Sequence, residues 1–319
     1  AAALALALGG AAAAWAADGG EAGSDWFQPW VDFNCGVIAG IDGVVGSAGL
    51  AIILYTILIK ALTYPLTQPA LRTTALLQLV VPQSELITKN YPDNENARNS
   101  QLRRLYAKVG VDPGSAFLPI LVQLPIFIGL FRAIGQLARE SAHFKEPFLW
   151  IPSLAGPVAA GNPSLDWLLK SQSAERFIPL VGWDDATMYL VLPAIVVISQ
   201  FVTQSFSTVY SSKDDEGASL LFPIFVGIST LVSPAGLGLY WVTNNLISSG
   251  QMALVQKQTF DELPEYKRAR DDFFKELAEK SDDGVRYTRV SPFMKGEDVS
   301  APTPAALEEG DDREDVLLA

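Results

Sequence analysis

A lysine stands inside one of the most apolar stretches of the chain. The run "LAIILYTILIKALTYPLT", Leu50 to Thr67, contains Lys60 as its only charged residue. A lysine at the centre of a membrane-spanning helix costs about 2.5 to 3.5 kcal/mol on insertion scales. One interpretation is that the side chain snorkels to the headgroups, since Leu66 follows within roughly 9 Å of helix rise. The other is that Lys60 lines a water-filled cavity and attracts an anionic guest.

Other polar residues recur at helical spacing in the apolar parts of the chain. Thr56, Lys60 and Thr63 are separated by four and three residues, so they share one helix face. Further polar positions in apolar segments are Thr67, Gln123, Ser199, Gln200, Thr203, Gln204, Ser207, Asn244, Ser248 and Gln251. Such residues also serve as hydrogen-bonding contacts between membrane helices. These polar residues form stripes along the apolar segments, and none of the segments contains an acidic partner for the lysine. We therefore predict that the stripes share one hydrophilic groove, lined by Lys60, Thr56, Thr63, Gln123, Thr203, Asn244 and Ser248.

Five segments are candidate membrane helices, since a span needs roughly 20 mostly apolar residues. They are Val44–Leu66, Phe117–Leu137, Ala186–Phe206, Ala218–Val232 and Leu237–Val255. The last two are joined by "SPAG", which is short enough to require a tight hairpin. The fourth is short for a span, which favours a thinned membrane or a tilted helix. With 49% hydrophobic and 18% charged residues, the chain is predicted to be an all-α membrane protein with five transmembrane helices around the groove.

Lysine and arginine counts in the connections predict the orientation of these helices. The first 43 residues contain none, whereas the connection 67–112 contains six and the segment from Lys257 onward contains ten. The connections 138–183 and 207–217 contain four and one. We therefore expect the basic connection and the C-terminal tail on the side of synthesis, and the N-terminus on the translocated side.

The segments outside the spans have separate characters. Residues 1–17 are interpreted as the remnant of a targeting segment, with a sixth short span as the alternative. The following "DWFQPWVDF" has the spacing of an interfacial helix. Residues 67–110 are predicted to form a helical hairpin broken at "YPDNEN". Its basic residues, which we assign to receiving a substrate, are Arg72, Lys89, Arg103, Arg104 and Lys108.

The chain is accordingly divided into three parts. Residues 1–43 form a translocated-side N-terminal segment, and residues 44–256 form the five-span core, which includes the basic hairpin 67–112. Residues 257–319 form a tail with 10 basic and 17 acidic residues. The tail contains one amphipathic helix candidate, "EYKRARDDFFKELAEK", and is otherwise expected to be disordered.

The sequence contains no pattern typical of an enzyme. A single Cys35 excludes an internal disulfide, and a single His143 excludes a metal site with paired imidazoles. P-loop, HExxH and GxSxG patterns are missing from the sequence. We therefore predict a protein that is not an enzyme and that uses neither a metal nor a cofactor.

Three motifs resemble the YidC/Oxa/Alb family of membrane protein insertases. They are "ILIKALTYPLT", "RRLYAKVGVDPGSAFLPILVQLPIFIGLFRAI" and "PAGLGLYWVTNNLISSGQ", and the similarity covers about Trp26 to Lys257. The segments "FLWIPSLAGP" and "GWDDATMYLVLPAIVVISQ" are similar to the thylakoid Albino branch of the family. Lys60 stands where many bacterial members carry a groove arginine.

The resemblance implies a five-helix fold whose groove is open to the lipid and the stroma and closed toward the lumen. It also implies a chloroplast thylakoid protein that helps to insert light-harvesting, photosystem or ATP synthase subunits, without a cofactor. Implied partners are nascent or targeted membrane proteins and the lipid bilayer, with the Sec translocon, a signal recognition particle receptor or the ribosome as further candidates, and no direct nucleic-acid ligand. The acidic tail departs from the basic tails of plant members, which puts recruitment of the chloroplast signal recognition particle in doubt.

Two other functional classes compete with an insertase. A non-catalytic scaffold would hold photosystem or other membrane complex intermediates through amphipathic surfaces. A channel or transporter would need a path open to both faces and usually charged residues in several spans. Insertase and scaffold differ in their need for Lys60, because only the insertase uses its charge.

Overall fold

The computed structural model describes residues 26–111, 118–158, 164–173, 175–207 and 216–279, and every regular element within them is helical. The expected targeting remnant and the end of the tail lie outside these residues. The α-helices are α1 Gln28–Val45, α2 Ala48–Leu79, α3 Val81–Asn90, α4 Glu95–Lys108, α5 Leu118–Glu140, α6 Asp166–Leu169, α7 Gly182–Ser207, α8 Glu216–Leu231, α9 Ala235–Glu262 and α10 Pro264–Glu279.

Each of the five predicted spans coincides with a helix, and three of them are long and apolar enough to cross a membrane. These three are α2, α5 over Leu121–Glu140 and α7. In α8 the described apolar stretch is the shorter Phe222–Leu231. Helix α9 has the length of a span, but polar residues including Asn244 and Asn245 lower its apolar content. The all-helical prediction is confirmed for the described residues, with three candidate spans among them.

The first predicted span differs from the structure at both ends. Gly46 has φ 65° and ends α1, and its N–H donates to the carbonyl of Asp42 at 2.7 Å. Glycine adopts this left-handed conformation without the steric penalty of a Cβ. At its other end α2 continues past Thr67 to Leu79, through Pro65 and Pro69. Prolines are tolerated within a membrane helix, because neighbouring groups satisfy the backbone carbonyls that they leave free.

The chain divides into two compact units, and the first contains residues up to Gln68 together with 118–253. Its largest apolar cluster joins α2, α5, α7 and α9 around buried residues such as Tyr55, Leu130 and Leu237. Described parts of the loop between α5 and α7 also enter this cluster, with Phe144 and Ile151 almost fully buried. Apolar residues of this loop therefore belong to the core of the first unit.

The loop supplies hydrogen-bonding partners to the turn between α8 and α9. The N–H groups of Ala235 and Gly236, which begin α9, donate to the carbonyls of Gly156 and Leu154 at 2.7 and 2.9 Å. The indole Nε1 of Trp167 donates to the carbonyl of Leu231, at the end of α8, at 3.0 Å. These contacts satisfy backbone groups that helix ends leave without intrahelical partners.

Helix α1 packs against α5 through one indole ring. Trp30 Nε1 donates to the carbonyl of Pro125 at 3.0 Å. The approach requires Gly129, because a Cβ there would lie 2.3 Å from that indole nitrogen. Asn34 is fully buried, and it accepts a hydrogen bond from the hydroxyl of Tyr55 in α2. Specific polar contacts therefore hold α1 against α2 and α5, in addition to the packing of its apolar face.

His143, the one histidine of the chain, also contacts α1. Its Nδ1 lies 2.9 Å from Oδ2 of Asp42. The hydrogen bond to Asp42, and then the negative charges of Asp42 and Glu146, raise the pKa of His143 above its usual 6.5. A raised pKa in the folded state stabilises the fold below pH 6.5, and the stabilisation is lost as pH rises through the folded pKa.

We expect NMR titration of this single imidazole to give a pKa above 6.5, and Asp42→Asn to lower it. The advantage in melting temperature of wild type over His143→Gln should be larger at pH 6 than at pH 8.5. Glu146→Gln is the control, because Glu146 contributes less to the shift than Asp42. An unchanged pKa in Asp42→Asn would contradict the pairing.

The second compact unit contains residues 69–117 and the chain from Leu254 onward. Helices α3 and α4 lie within the segment predicted to form a hairpin, and Asn94 caps α4 by accepting from the N–H of Ala97 at 3.0 Å. The hairpin begins later than predicted, because α2 occupies residues up to Leu79 and α3 starts at Val81 beside Pro82. The predicted tail helix is present as α10.

Candidate functional site

The ammonium of Lys60, in α2, lies among neutral polar side chains from two other helices. Its Nζ donates to Oγ of Ser248 in α9 at 2.9 Å and to Oε1 of Gln123 in α5 at 3.4 Å. Among the described residues Lys60 has no carboxylate partner. Hydroxyl and amide oxygens orient the ammonium but leave its positive charge uncompensated. The arrangement can therefore bind an anionic or acidic group in a mostly apolar environment.

Two further residues extend this Lys60 cluster. Gln123 Nε2 donates to the hydroxyl of Tyr240 at 2.8 Å, which orients the amide so that its oxygen faces Lys60. Gln251 Nε2 donates to the backbone carbonyl of Lys60 at 3.4 Å. Lys60, Gln123, Ser248, Tyr240 and Gln251 together form a continuous hydrogen-bonded group.

The predicted threonines of α2 make different contacts. The hydroxyl of Thr56 is buried and donates to the carbonyl of Ile52 at 2.7 Å, and that of Thr63 donates to the carbonyl of Ile59 at 2.8 Å. These bonds within the helix satisfy the hydroxyl hydrogens and leave their oxygens as acceptors. In the structure the two threonines share the helix with Lys60 without being bonded to its ammonium.

The predicted polar stripe of α7 pairs with α9. The hydroxyl of Thr203 lies 2.9 Å from that of Ser249, and Asn245 Nδ2 donates to Ser199 Oγ and Gln200 Oε1, each at 3.0 Å. Ser249 and Asn245 stand next to Ser248 and Asn244 in sequence, so they point to a different side of α9. These bonds hold α7 and α9 together, as polar contacts do in other membrane bundles.

Replacing Asn245 with alanine should weaken the packing of α7 on α9, because Ser199 and Gln200 both lose a donor. Interhelical hydrogen bonds in membranes contribute about 0.6 kcal/mol on average and at most about 1.7 kcal/mol. Thermal unfolding in nanodiscs should therefore show a fall of a few degrees in melting temperature. Leu246→Ala, at the neighbouring exposed position, is the control. Equal melting temperatures for the two variants would refute the assignment.

Asn244 lies one helical turn before Ser248, which places the two on one face of α9. The Oδ1 atom of Asn244 is buried, and no donor among the described residues reaches it. A buried acceptor without a donor is unfavourable unless something else supplies the hydrogen bond. Asn244 is therefore a polar position of this face whose acceptor the described residues leave unsatisfied.

The basic residues predicted on the hairpin occupy three helices. Arg72 lies in α2 and pairs with Glu262 of α9, with 2.6 Å between Nη2 and Oε2. Lys89 lies in the last turn of α3. Arg103, Arg104 and Lys108 are exposed along α4. The hairpin thus presents a positive surface on α4, whereas the charge of Arg72 is balanced within the protein.

Three contributors to the polar contacts of the first unit were not among the predicted site residues. In the sequence Tyr240 and Tyr55 resemble ordinary aromatic residues of an apolar helix. Their hydrogen bonds become visible only in the structure, where Gln123 and Asn34 lie beside them. Arg132 is a second cation within a predicted span, and its Nη2 donates to Oε1 of Gln28 at 3.1 Å. Its position within the otherwise uncharged stretch "LFRAIGQL" is the sequence signal that identifies it.

A bundle of apolar helices with an uncompensated lysine among polar side chains defines an integral membrane protein with an intramembrane polar site. Residues 40–262 match the 60Kd inner membrane protein family. The chain belongs to this family, which is the YidC/Oxa/Alb family that its motifs resemble.

Individual relatives agree with this membership. The chain is 36% identical over 228 residues to inner membrane ALBINO3-like protein 2, chloroplastic, of Chlamydomonas reinhardtii, covering 70% of this chain and 53% of that protein. It is 35% identical over 218 residues to inner membrane protein ALBINO3, chloroplastic, of Arabidopsis thaliana, covering 66% and 46%. A membrane protein insertase YidC of Francisella tularensis subsp. novicida is 29% identical over 221 residues, covering 68% and 34%. The chain spans about half the length of the chloroplast relatives.

Proposed function

We propose that this protein is a membrane protein insertase and chaperone of the chloroplast thylakoid. The observation that carries the proposal is the ammonium of Lys60, held between Ser248 and Gln123 without a carboxylate partner among the described residues. Family membership and the resemblance to chloroplast proteins support the same function and location. Light-harvesting proteins and photosystem subunits are the proposed clients.

In the proposed mechanism, five helices enclose a hydrophilic groove that is open to the stroma and to lipid. A polar groove partway through the bilayer lowers the cost of moving a short polar segment across it. The charge of Lys60 holds an acidic flank of the client, and Asn244 lies on the helix face that lines the same groove. The apolar segment then partitions into lipid by its own hydrophobicity. No covalent chemistry is needed, because the protein lowers a transfer barrier.

The basic hairpin is proposed to receive the client before insertion. The exposed guanidinium groups of Arg103 and Arg104, with Lys108 one turn beyond, suit contact with acidic flanks or anionic headgroups. Lys89 would extend this surface, whereas Arg72 has a structural role because it forms an ion pair with Glu262. The Sec translocon, a signal recognition particle receptor and the ribosome are proposed as partners on this stromal side, with the N-terminus in the lumen.

Reconstitution tests the function directly. Liposomes containing the purified chain should protect a single-span client with a short acidic translocated tail from added protease, at a yield several-fold above protein-free liposomes. Equal protection in both preparations would reject the insertase. Stable binding of assembly intermediates without any insertion would favour a scaffold instead.

A further inference from the structure

The second compact unit has an apolar cluster to which the tail contributes. Its buried residues are Leu76, Leu79, Val80, Val111 and Tyr266. Tyr266 belongs to α10, whereas the other four belong to the end of α2 and to the hairpin segment. Partly buried residues around them are Leu77, Leu105, Tyr106, Val109, Phe260 and Leu263. A segment of the tail therefore covers apolar residues at the base of the hairpin.

Helix α10 presents one apolar face to this unit. Tyr266 and Phe273 are seven residues apart, which is close to two helical turns, and their relative exposures are only 4% and 7%. Lys267, Asp271 and Asp272 are exposed. A helix of 16 residues is marginally stable alone in water, so α10 depends on this covered face for its helicity.

Polar contacts fasten the chain leading into α10. Glu262, at the end of α9, forms its ion pair with Arg72, and Gln256 donates to Oε1 of Gln78. All four of these residues lie in the same compact unit as the hairpin. Pro264 then begins α10, and Leu263 lies between the two helices. Beyond these contacts, α10 contributes the buried aromatic side chains of Tyr266 and Phe273.

We propose that α10 is an intramolecular cover of the hairpin, which occupies the apolar residues that a client helix would otherwise contact. The inference rests on the proposed function of the hairpin as the receiving surface. An amphipathic helix with aromatic residues at i and i+7 has the pattern by which helices bind apolar grooves. Movement of α10 away from Leu79 and Val80 would expose that surface, so that the tail sets how readily a client is received.

The test uses the full chain in nanodiscs. The release variant Tyr266→Ser/Phe273→Ser weakens the covered face, and the matched control Lys267→Ser/Asp272→Ser changes exposed positions without altering net charge. Hydrogen exchange is followed at residues 76–80 and 105–109. In the same variants, Ala107→p-benzoylphenylalanine reports photo-crosslinking to a single-span client, because Ala107 is exposed on α4.

In the release variant we expect exchange at both segments to accelerate at least threefold and client crosslinking to rise at least twofold, with the control matching wild type. Exchange should stay slow at the separate cluster of Ile87, Tyr91 and Ala97. Unchanged exchange at 76–80 would contradict the proposal that α10 covers these residues. Accelerated exchange at Ile87 would also contradict it, because α10 would then be part of the hairpin core. Equal or lower crosslinking would also overturn it.

Insertion is scored in parallel to separate this inference from the function on which it rests. If wild type fails to insert any client, the insertase function is rejected, and the crosslinking yields still decide whether α10 blocks access. If wild type inserts and the release variant crosslinks no more client than wild type, the cover is rejected while the function stands.

Discussion

Lys60→Ala should lower insertion of a client with an acidic translocated tail at least about tenfold, whereas Lys60→Arg should retain most of the activity. Tenfold corresponds to about 1.4 kcal/mol, a modest part of the attraction between opposite charges in a partly apolar site. Arginine keeps the charge and can still donate to Ser248 and Gln123. Protease protection in proteoliposomes measures the effect for each variant beside wild type.

The control for this prediction is Leu58→Ala, an exposed position on the same helix. A client with an uncharged tail should depend less on Lys60 than the acidic one does. Equal insertion by wild type, Lys60→Ala and Lys60→Arg would mean that Lys60 is a snorkelling residue, and the electrostatic mechanism would be wrong. Binding of assembly partners should survive Lys60→Ala, because the charge is needed for insertion alone.

Gly129→Val should detach α1 from α5. The indole of Trp30 occupies the space where a side chain at position 129 would begin, with Nε1 at 2.3 Å from the added Cβ. Overpacking of this kind costs about 1 to 3 kcal/mol, and displacement of the ring also removes its hydrogen bond to Pro125. Hydrogen exchange in residues 28–45 should accelerate roughly tenfold or more, because the free energy of local opening of α1 falls.

Gly40→Val is the matched control for that variant. Gly40 lies on α1 itself, and a Cβ there would meet nothing within 4 Å. The same substitution should therefore leave exchange in α1 close to that of wild type. Comparable acceleration in both variants would show that the loss comes from valine in a helix, and the packing argument for Gly129 would fail.

The positions of the membrane helices could be predicted from the sequence because length and apolar composition are local properties. Lys60, Gln123 and Ser248 could be grouped for a related reason, since an isolated polar residue in an apolar helix needs polar neighbours. The ends of α2 could not be placed. Prolines at 65 and 69 usually mark a boundary, but the helix continues to Leu79.

Which helix faces contact each other could not be predicted from the sequence. The stripes of α7 and α2 were both assigned to one groove, yet Thr203 is bonded to Ser249 while Lys60 is bonded to Ser248. Two adjacent residues of α9 thus serve different neighbours, and which neighbour each faces depends on helix rotation within the bundle. The sequence predicts the helical hairpin and the amphipathic tail helix separately, whereas their mutual contact follows only from the fold.

The loop contacts at the turn between α8 and α9 bear on how far these helices need to extend. A helix end normally reaches water because its free N–H and C=O groups would otherwise be stranded in hydrocarbon. Here protein carbonyls receive the first amides of α9, and an indole serves the last carbonyl of α8. The turn between α8 and α9 therefore carries its own substitute for interfacial water, so these two helix ends do not need to reach the membrane surface.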